Sequence, residues 1–183
     1  MRRILLATAA GTLLAGAASA QDAVNVGIIL GFTGPLESIT PGMAGGAELA
    51  FKEASDSGKL PGGATFNVIR GDSTCIDAAA ATTAAETLVT SDNVVAIMGA
   101  DCSGVTTAIA NNVTVPNGVV MVSPSATSPA LSTIDDNGYF FRTAPSDARQ
   151  GEVLADVVKG RGIDTVAVTY TNNDYGKGLA DSF

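Results

Sequence analysis

The sequence predicts an α/β protein built on a mostly parallel sheet with helices on both faces, and three observations predict it. Short, β-branched apolar runs alternate with longer stretches rich in Ala and Glu at helical spacing. Two of the runs, Val24 to Leu30 and Val94 to Met98, are apolar almost without a break, as strands covered on both faces are. Most runs also lead into segments rich in Gly, Pro and hydroxyls, where an open parallel sheet carries its ligand loops.

Read in chain order, Met1-Arg2-Arg3 is a short cationic start. An apolar run from Ile4 to Ala17 and the small residues Ala18-Ser19-Ala20 follow it. This pattern predicts a signal peptide over residues 1–20, cleaved before Gln21. A membrane anchor would need a longer apolar run, less diluted by Thr8, Gly11, Thr12 and Gly16. No Cys follows the cleavage point to take a lipid. The chain's 183 residues less the leader's 20 leave 163, enough for one ordinary domain with its own core.

Strands are expected at Val24 to Leu30, Ala64 to Ile69, Val94 to Met98, Val119 to Val122, Tyr139 to Arg142 and Thr165 to Tyr170. Helices are expected at Met43 to Ala54, Asp77 to Val89, Gly104 to Asn112 and Asp147 to Lys159. Alternation in this order requires crossover connections, and hence a mostly parallel sheet.

Composition narrows the chemistry. Arg2 and Arg3 leave with the leader, which takes the formal net charge of −8 two units lower, and an acidic surface of that size repels phosphate backbones. No nucleic-acid partner is expected. The chain has no His, which excludes Ser-His-Asp and Cys-His nucleophile systems and HExxH zinc sites. Gly27 to Gly34 lacks GxGxxG spacing, Gly58-Lys59 and Gly176-Lys177 lack a P-loop's context, and no GxSxG occurs, so no cofactor is called for. Asn112-Val113-Thr114 matches a glycosylation sequon that carries no weight in a bacterial-type exported chain. The two cysteines, Cys75 and Cys102, are expected to pair, since an exported chain with an even count usually oxidises them.

The hydroxyls cluster after the strands. Gly99-Ala100-Asp101-Cys102-Ser103-Gly104 follows the third run, and Ser123-Pro124-Ser125-Ala126-Thr127-Ser128-Pro129 follows the fourth. Ser103 stands where a helix should begin, so its hydroxyl and the free backbone N–H groups beside it could hold a carboxylate. The same position also suits a plain N-cap serine, and Ser125 and Thr127 also fit an ordinary Pro-flanked turn. Their joint placement after neighbouring strands favours a site.

Seven segments in order, taken together, resemble the periplasmic leucine/isoleucine/valine-binding proteins of the type I solute-binding fold. They are Gly-Phe-Thr-Gly-Pro-Leu (31–36), Gly-Ala-Glu-Leu-Ala (46–50), Gly-Asp-Ser-Thr-Cys (71–75), Gly-Ala-Asp-Cys-Ser-Gly (99–104), Ser-Pro-Ser-Ala-Thr-Ser-Pro (123–129), Phe-Arg-Thr-Ala-Pro-Ser-Asp-Ala-Arg-Gln-Gly (141–151) and Asn-Asp-Tyr-Gly-Lys-Gly (173–178).

The resemblance implies two α/β lobes in place of one domain: a first lobe over residues 21–145 and the start of a second over 146–183, with the rest of that lobe beyond Phe183. It implies a periplasmic, monomeric protein that captures a branched-chain or related amino acid for an ABC permease of the inner membrane, without catalysis. It places a Cys75–Cys102 disulfide between the loops after the second and third strands. In a 2-1-3 strand order those strands lie about 9–10 Å apart, so both loops must lean across the rim. It implies that Ser103, by hydroxyl and backbone N–H, and Thr127 receive the ligand's α-carboxylate, that the backbone of Ser125 faces its ammonium, and that Tyr175 is the aromatic at the mouth of the second lobe. Read without the resemblance, Tyr175 is a surface turn residue. A tyrosine found in the first loop of some relatives is replaced here by Ile39, so leucine, isoleucine and valine share the field with other amino acids, amides, urea and aromatic acids. Two rival functions are a ligand-sensing receptor on the same fold and an enzyme with Ser103 as nucleophile; the second lacks a base at a recognisable spacing.

Overall fold

A computed structural model describes residues 23–183. The expected signal peptide, residues 1–20, lies outside the described residues. Five parallel strands form one sheet in the order β2-β1-β3-β4-β5. They are β1 (Ala23–Leu30), β2 (Thr65–Asp72), β3 (Ala96–Gly99), β4 (Val120–Ser123) and β5 (Phe140–Arg142). The helices are α1 (Thr40–Asp56), α2 (Ala78–Glu86), α3 (Ser103–Ile109), α4 (Asp147–Gly160) and α5 (Asp174–Ser182). The first five expected strands and all four expected helices form close to the expected bounds.

β1 lies in the sheet's interior, between β2 and β3, with residues apolar on both sides of the pleat. Successive side chains of a strand point to opposite faces, so Ile28 and Leu30 pack with Ala44 and Phe51 of α1 while Ile29 packs with Leu88, Ile97 and Ile109 beneath α2 and α3. Ile28, Ile29 and Leu30 are all fully buried, each worth about 1.5–3 kcal/mol relative to exposure. β1 pairs with β2 from Ala23↔Thr65 to Leu30↔Asp72 and with β3 through Gly27↔Ile97, so the ends of β1, β2 and β3 reach one rim together. β4 and β5 extend that rim through Ser123↔Arg142.

Helix ends follow local chemistry. The Asp77 carboxylate accepts from the N–H groups of Ala79 and Ala80 and caps α2. Ser146 caps α4 by accepting from Ala148, and Asn173 caps α5 by accepting from Gly176 at 2.8 Å. After their regular turns, α2 and α3 widen by one residue, as the bonds from Asp92 N to Thr87 O and from Val115 N to Ala110 O record.

The strand expected over Thr165 to Tyr170 does not form: residues 163–171 carry no regular structure and are exposed throughout. A strand is completed by a partner's backbone, and among the described residues no strand lies beside this one. Its valines instead share a cavity of about 530 Å³ with α4 and α5, lined by Leu154, Val158, Val166, Val168, Tyr175 and Leu179 among others. The two helices pack tightly, and a Cβ on Gly151 of α4 would overlap the backbone of Ser182 in α5.

Candidate functional site

The rim at the carboxyl ends of the strands is held by side chains reaching across to neighbouring loops. Asp101, just beyond β3 and 3% exposed, accepts from the Gly31 N–H at 3.2 and 3.1 Å and from the Ser73 hydroxyl at 3.2 Å. One carboxylate therefore ties together the loops after β1, β2 and β3. Gly31 suits this closeness: a Cβ there would lie 3.1 Å from Cys75 Cβ and 3.2 Å from Asp101 Oδ2, so the neighbours would have to give way slightly.

The disulfide expected between Cys75 and Cys102 is present, with Cα atoms 5.2 Å apart. It joins the loops after β2 and β3 over the end of β1, the lean that the 2-1-3 order demands. Thr74 and Cys75 reach it through positive φ of 56° and 68°.

Asp72, at the end of β2, holds the first loop. It accepts from the Thr33 hydroxyl at 2.7 Å, from the Thr33 N–H at 3.3 Å and from the Thr74 N–H at 2.8 Å. Burial pushes its pKa up, but the Thr33 hydroxyl and the N–H groups of Thr74, Thr33 and Phe32 outweigh burial, and the net shift is below the usual 3.8. A depressed carboxylate contributes stability above its unfolded pKa and loses it as pH falls through its folded pKa. The loop Gly31 to Leu36 should accordingly loosen only below about pH 4, and Asp72→Asn should flatten the acid limb of the melting-temperature profile. An NMR titration placing the Asp72 carboxyl at or above 3.8 would contradict this.

Of the four expected ligand residues, Ser103 and Thr127 are bonded to each other, and Ser125 is bonded to Asp101 in the loop that leads to Ser103. Ser103 is the first residue of α3, with Cys102 in the N-cap position, so it does not serve as the N-cap serine that its position allowed. Its side chain is 2% exposed, and its oxygen accepts from the N–H groups of Thr127 at 3.2 Å and Ser128 at 3.1 Å. The Ser125 hydroxyl donates to the Asp101 carbonyl at 2.9 Å. The Thr127 hydroxyl donates to Asp147 Oδ2 at 2.7 Å, and the Asp147 N–H returns a bond to the Thr127 carbonyl at 2.9 Å. Ser125 and Thr127 are half-buried.

Arg142, at the end of β5, closes the loop from behind, donating to the carbonyls of Ala126 at 3.0 Å and Ser128 at 2.9 Å and to the Ser132 hydroxyl at 2.6 Å. Burial lowers the Arg142 pKa, and the charge of Asp147 opposes that. Ser123 completes the frame, donating to the Ala100 carbonyl at 2.5 Å and accepting from Ala126 N–H at 3.0 Å.

Tyr175 is placed differently. It lies in the first turn of α5, 44% exposed, and lines the apolar cavity beside Leu154 and Val168, which none of the other three residues lines. The neighbouring Asp174 does approach the hydroxyl rim: a methyl on Gly104 would stand 4.0 Å from its Oδ2. A second cavity of about 290 Å³ separates α5 from the loop at Ser128 to Ala130. Ile39 is exposed at the start of α1. The residues that build the frame, namely Asp72, Asp101, Arg142 and Asp147, were not singled out from the sequence. Each stands within two residues of a strand end, a cysteine or a helix start, and all four lie inside the seven matching segments: Asp72 in 71–75, Asp101 in 99–104, and Arg142 and Asp147 in 141–151.

Residues 23–183 match the periplasmic binding protein family. The chain belongs to that family. Among its relatives, a Leu/Ile/Val-binding protein homolog of Brucella melitensis is 34% identical over 98% of this chain and 48% of its own length. The chemotactic signal transduction system substrate-binding protein BasB of Halobacterium salinarum is 32% identical over 88% of the chain and 40% of its own length. The isoleucine complex of the branched-chain amino acid transporter substrate-binding protein LivJ from Streptococcus pneumoniae superposes with a TM-score of 0.75 at 28% identity, over 88% of this chain and 45% of that one. This periplasmic binding protein chain thus spans about half the length of the curated relatives it matches. Its parallel sheet is that of the type I binding-protein fold. Among the described residues no helix is long and apolar enough to cross a membrane, and no cluster of His, Cys, Asp and Glu is arranged to hold a metal ion.

Proposed function

We propose that this chain is the amino-terminal part of a periplasmic solute-binding protein that captures a branched-chain or related amino acid and delivers it to an ABC permease. One observation carries this reading: in a member of the periplasmic binding protein family, Ser103, Ser125 and Thr127 lie just beyond the carboxyl ends of β3 and β4, where α/β sheets bind ligands, with the Ser103 oxygen bonded to the Thr127 N–H and the Ser125 hydroxyl to the Asp101 carbonyl. Residues 21–145 form the first lobe and 146–183 begin the second. The crossover at Thr143 to Asp147 is the hinge about which the lobes close on the ligand. Ser103 meets the ligand carboxylate, Thr127 and the Ser125 backbone stand beside it, and Tyr175 faces the cleft from the second lobe after closure. Export by the leader, residence in the periplasm and a monomeric state belong to the same reading.

Capture without chemistry fits the site. A nucleophilic serine needs a base to take its proton, whereas the partners of the Ser103 oxygen are two N–H donors, and the chain has no His. The similarity to BasB favours ligand sensing as the second reading, because that relative serves a chemotactic signalling system. A permease gene beside this one supports import; a transducer gene supports sensing.

A thermal-shift screen of the full-length protein against amino acids, amides and aromatic acids tests the proposal. Leucine, isoleucine or valine at about 100 times its Kd should add about 2.7 kcal/mol of stability and raise the melting temperature by several degrees. No shift with any compound would end the capture reading.

A further inference from the structure

The turn before β5 reads Asp136-Asn137-Gly138-Tyr139. Asn137 and Gly138 both take positive φ, 49° and 78°, and the Tyr139 N–H donates to the Asp136 carbonyl at 2.8 Å. Two successive left-handed residues closed by such a bond have the form of a type I′ turn, for which Asn-Gly is a preferred pair. The same pair is chemically reactive. The backbone nitrogen after an asparagine can close a small ring on that asparagine's carboxamide carbon, and a glycine puts no side chain in the way. Here the carboxamide is free: Asn137 is exposed, and among the described residues the bonds of the turn are made by Asp136, Gly138 and Tyr139, none by the Asn137 side chain. The nitrogen is open too, since a Cβ on Gly138 would meet nothing within 4 Å. Its N–H donates to Asp136 Oδ1 at 2.8 Å, so an acceptor already stands at the proton this nitrogen must shed. A second pair, Asn117-Gly118, is held differently. Asn117 Nδ2 donates to the Val113 carbonyl at 2.7 Å, and a Cβ on Gly118 would stand 3.4 Å from the Tyr139 hydroxyl.

We propose that Asn137 is a modification site at which the folded chain deamidates itself, and that the fold protects Asn117 from the same reaction. Gly138 N attacks Asn137 Cγ. The N–Cγ bond forms, the Cγ–Nδ2 bond breaks, and the displaced amide leaves as ammonia with the proton that Gly138 N gives up. Water then opens the cyclic imide. Attack at Cγ yields aspartate, and attack at the main-chain carbonyl yields isoaspartate, in which the chain runs through the side chain and is longer by one methylene. Nothing is oxidised or reduced, and water is the co-reactant; neither a ligand nor a permease takes part. Either product adds a negative charge beside Asp135 and Asp136. Isoaspartate also abolishes the backbone geometry of the turn, next to the bond from the Met121 N–H to the Tyr139 carbonyl at 2.8 Å that joins this segment to β4. At Asn117 the imide can close only after the bond to the Val113 carbonyl is given up, and that slows it.

The test ages the full-length wild-type protein for weeks in warm, mildly alkaline buffer and follows both asparagines by peptide mass spectrometry, with chromatography to separate aspartate from isoaspartate. In folded protein Asn137 should convert about threefold or more faster than Asn117, and isoaspartate should appear among its products. A parallel sample in denaturing guanidinium chloride supplies the comparison. There the two sites keep the same reactive dipeptide but lose their surroundings, and their rates should draw level to within about twofold. Folded protein in which Asn117 converts as fast as Asn137, or in which Asn137 keeps its amide throughout, would overturn the proposal. So would a ratio of rates that is the same in guanidinium as in buffer, because the fold would then have no part in choosing the site.

Discussion

Alanine at position 103 is expected to weaken amino-acid binding by the full-length protein about five- to 150-fold, the equivalent of about 1 to 3 kcal/mol for a lost charge-assisted hydrogen bond. The effect has two sources. The direct one is loss of the donor to the ligand carboxylate. The indirect one is loss of the acceptor for the N–H groups of Thr127 and Ser128, which leaves the rim loop without two of its anchors. Titration calorimetry with L-leucine reads the sum, and a thermal melt of the ligand-free variant reads the indirect part. An unchanged affinity would remove Ser103 from the site. A melt that falls while affinity holds would leave it a purely structural serine.

Reduction of the Cys75–Cys102 bond is the other large effect. The bridge closes a loop of separation 27, and in the chain-entropy model that constraint is worth about 3 to 4 kcal/mol. A domain of this size loses about 2 to 4 °C per kcal/mol, so reduction or a double Cys→Ser variant should lower the melting temperature by roughly 6 to 15 °C. The consequence should extend to binding, because the disulfide bridges the loops after β2 and β3 and Gly31 of the first loop packs against Cys75. A mass spectrum of exported protein with two free thiols, or a melt insensitive to reductant, would contradict the assignment.

Most of the architecture was legible because each element's signal is local. The unbroken run at Val24 to Leu30 announces a doubly covered strand, and β1 is an interior strand with Ile28 and Ile29 on opposite faces. The Ala- and Glu-rich stretches announce helices that pack on those faces. The segment Thr165 to Tyr170 shows the limit of that logic. Its residues favour an extended backbone, but a strand exists only when a neighbour supplies the ladder, and among the described residues none does.

At the rim, the position of Ser103, Ser125 and Thr127 after β3 and β4 was readable from strand order, and the pairing of the two cysteines from their even count in a chain expected to be exported. The parts played by Asp101, Asp147 and Arg142 were not. Hydrogen bonds between residues 10 to 70 positions apart leave no periodicity and no composition bias: Asp101 to Gly31 and Asp147 to Thr127 are partners only because the sheet stacks their loops.

Residue types and their spacing were sufficient to set the strand and helix order, the acidic, His-free chemistry and the hydroxyl-bearing loops, since these follow from local propensity and side-chain identity. Which way each hydroxyl proton points was settled by folding. A serine and a threonine carry the same functional group, and the buried partners brought to them across the rim make one a donor and the other an acceptor.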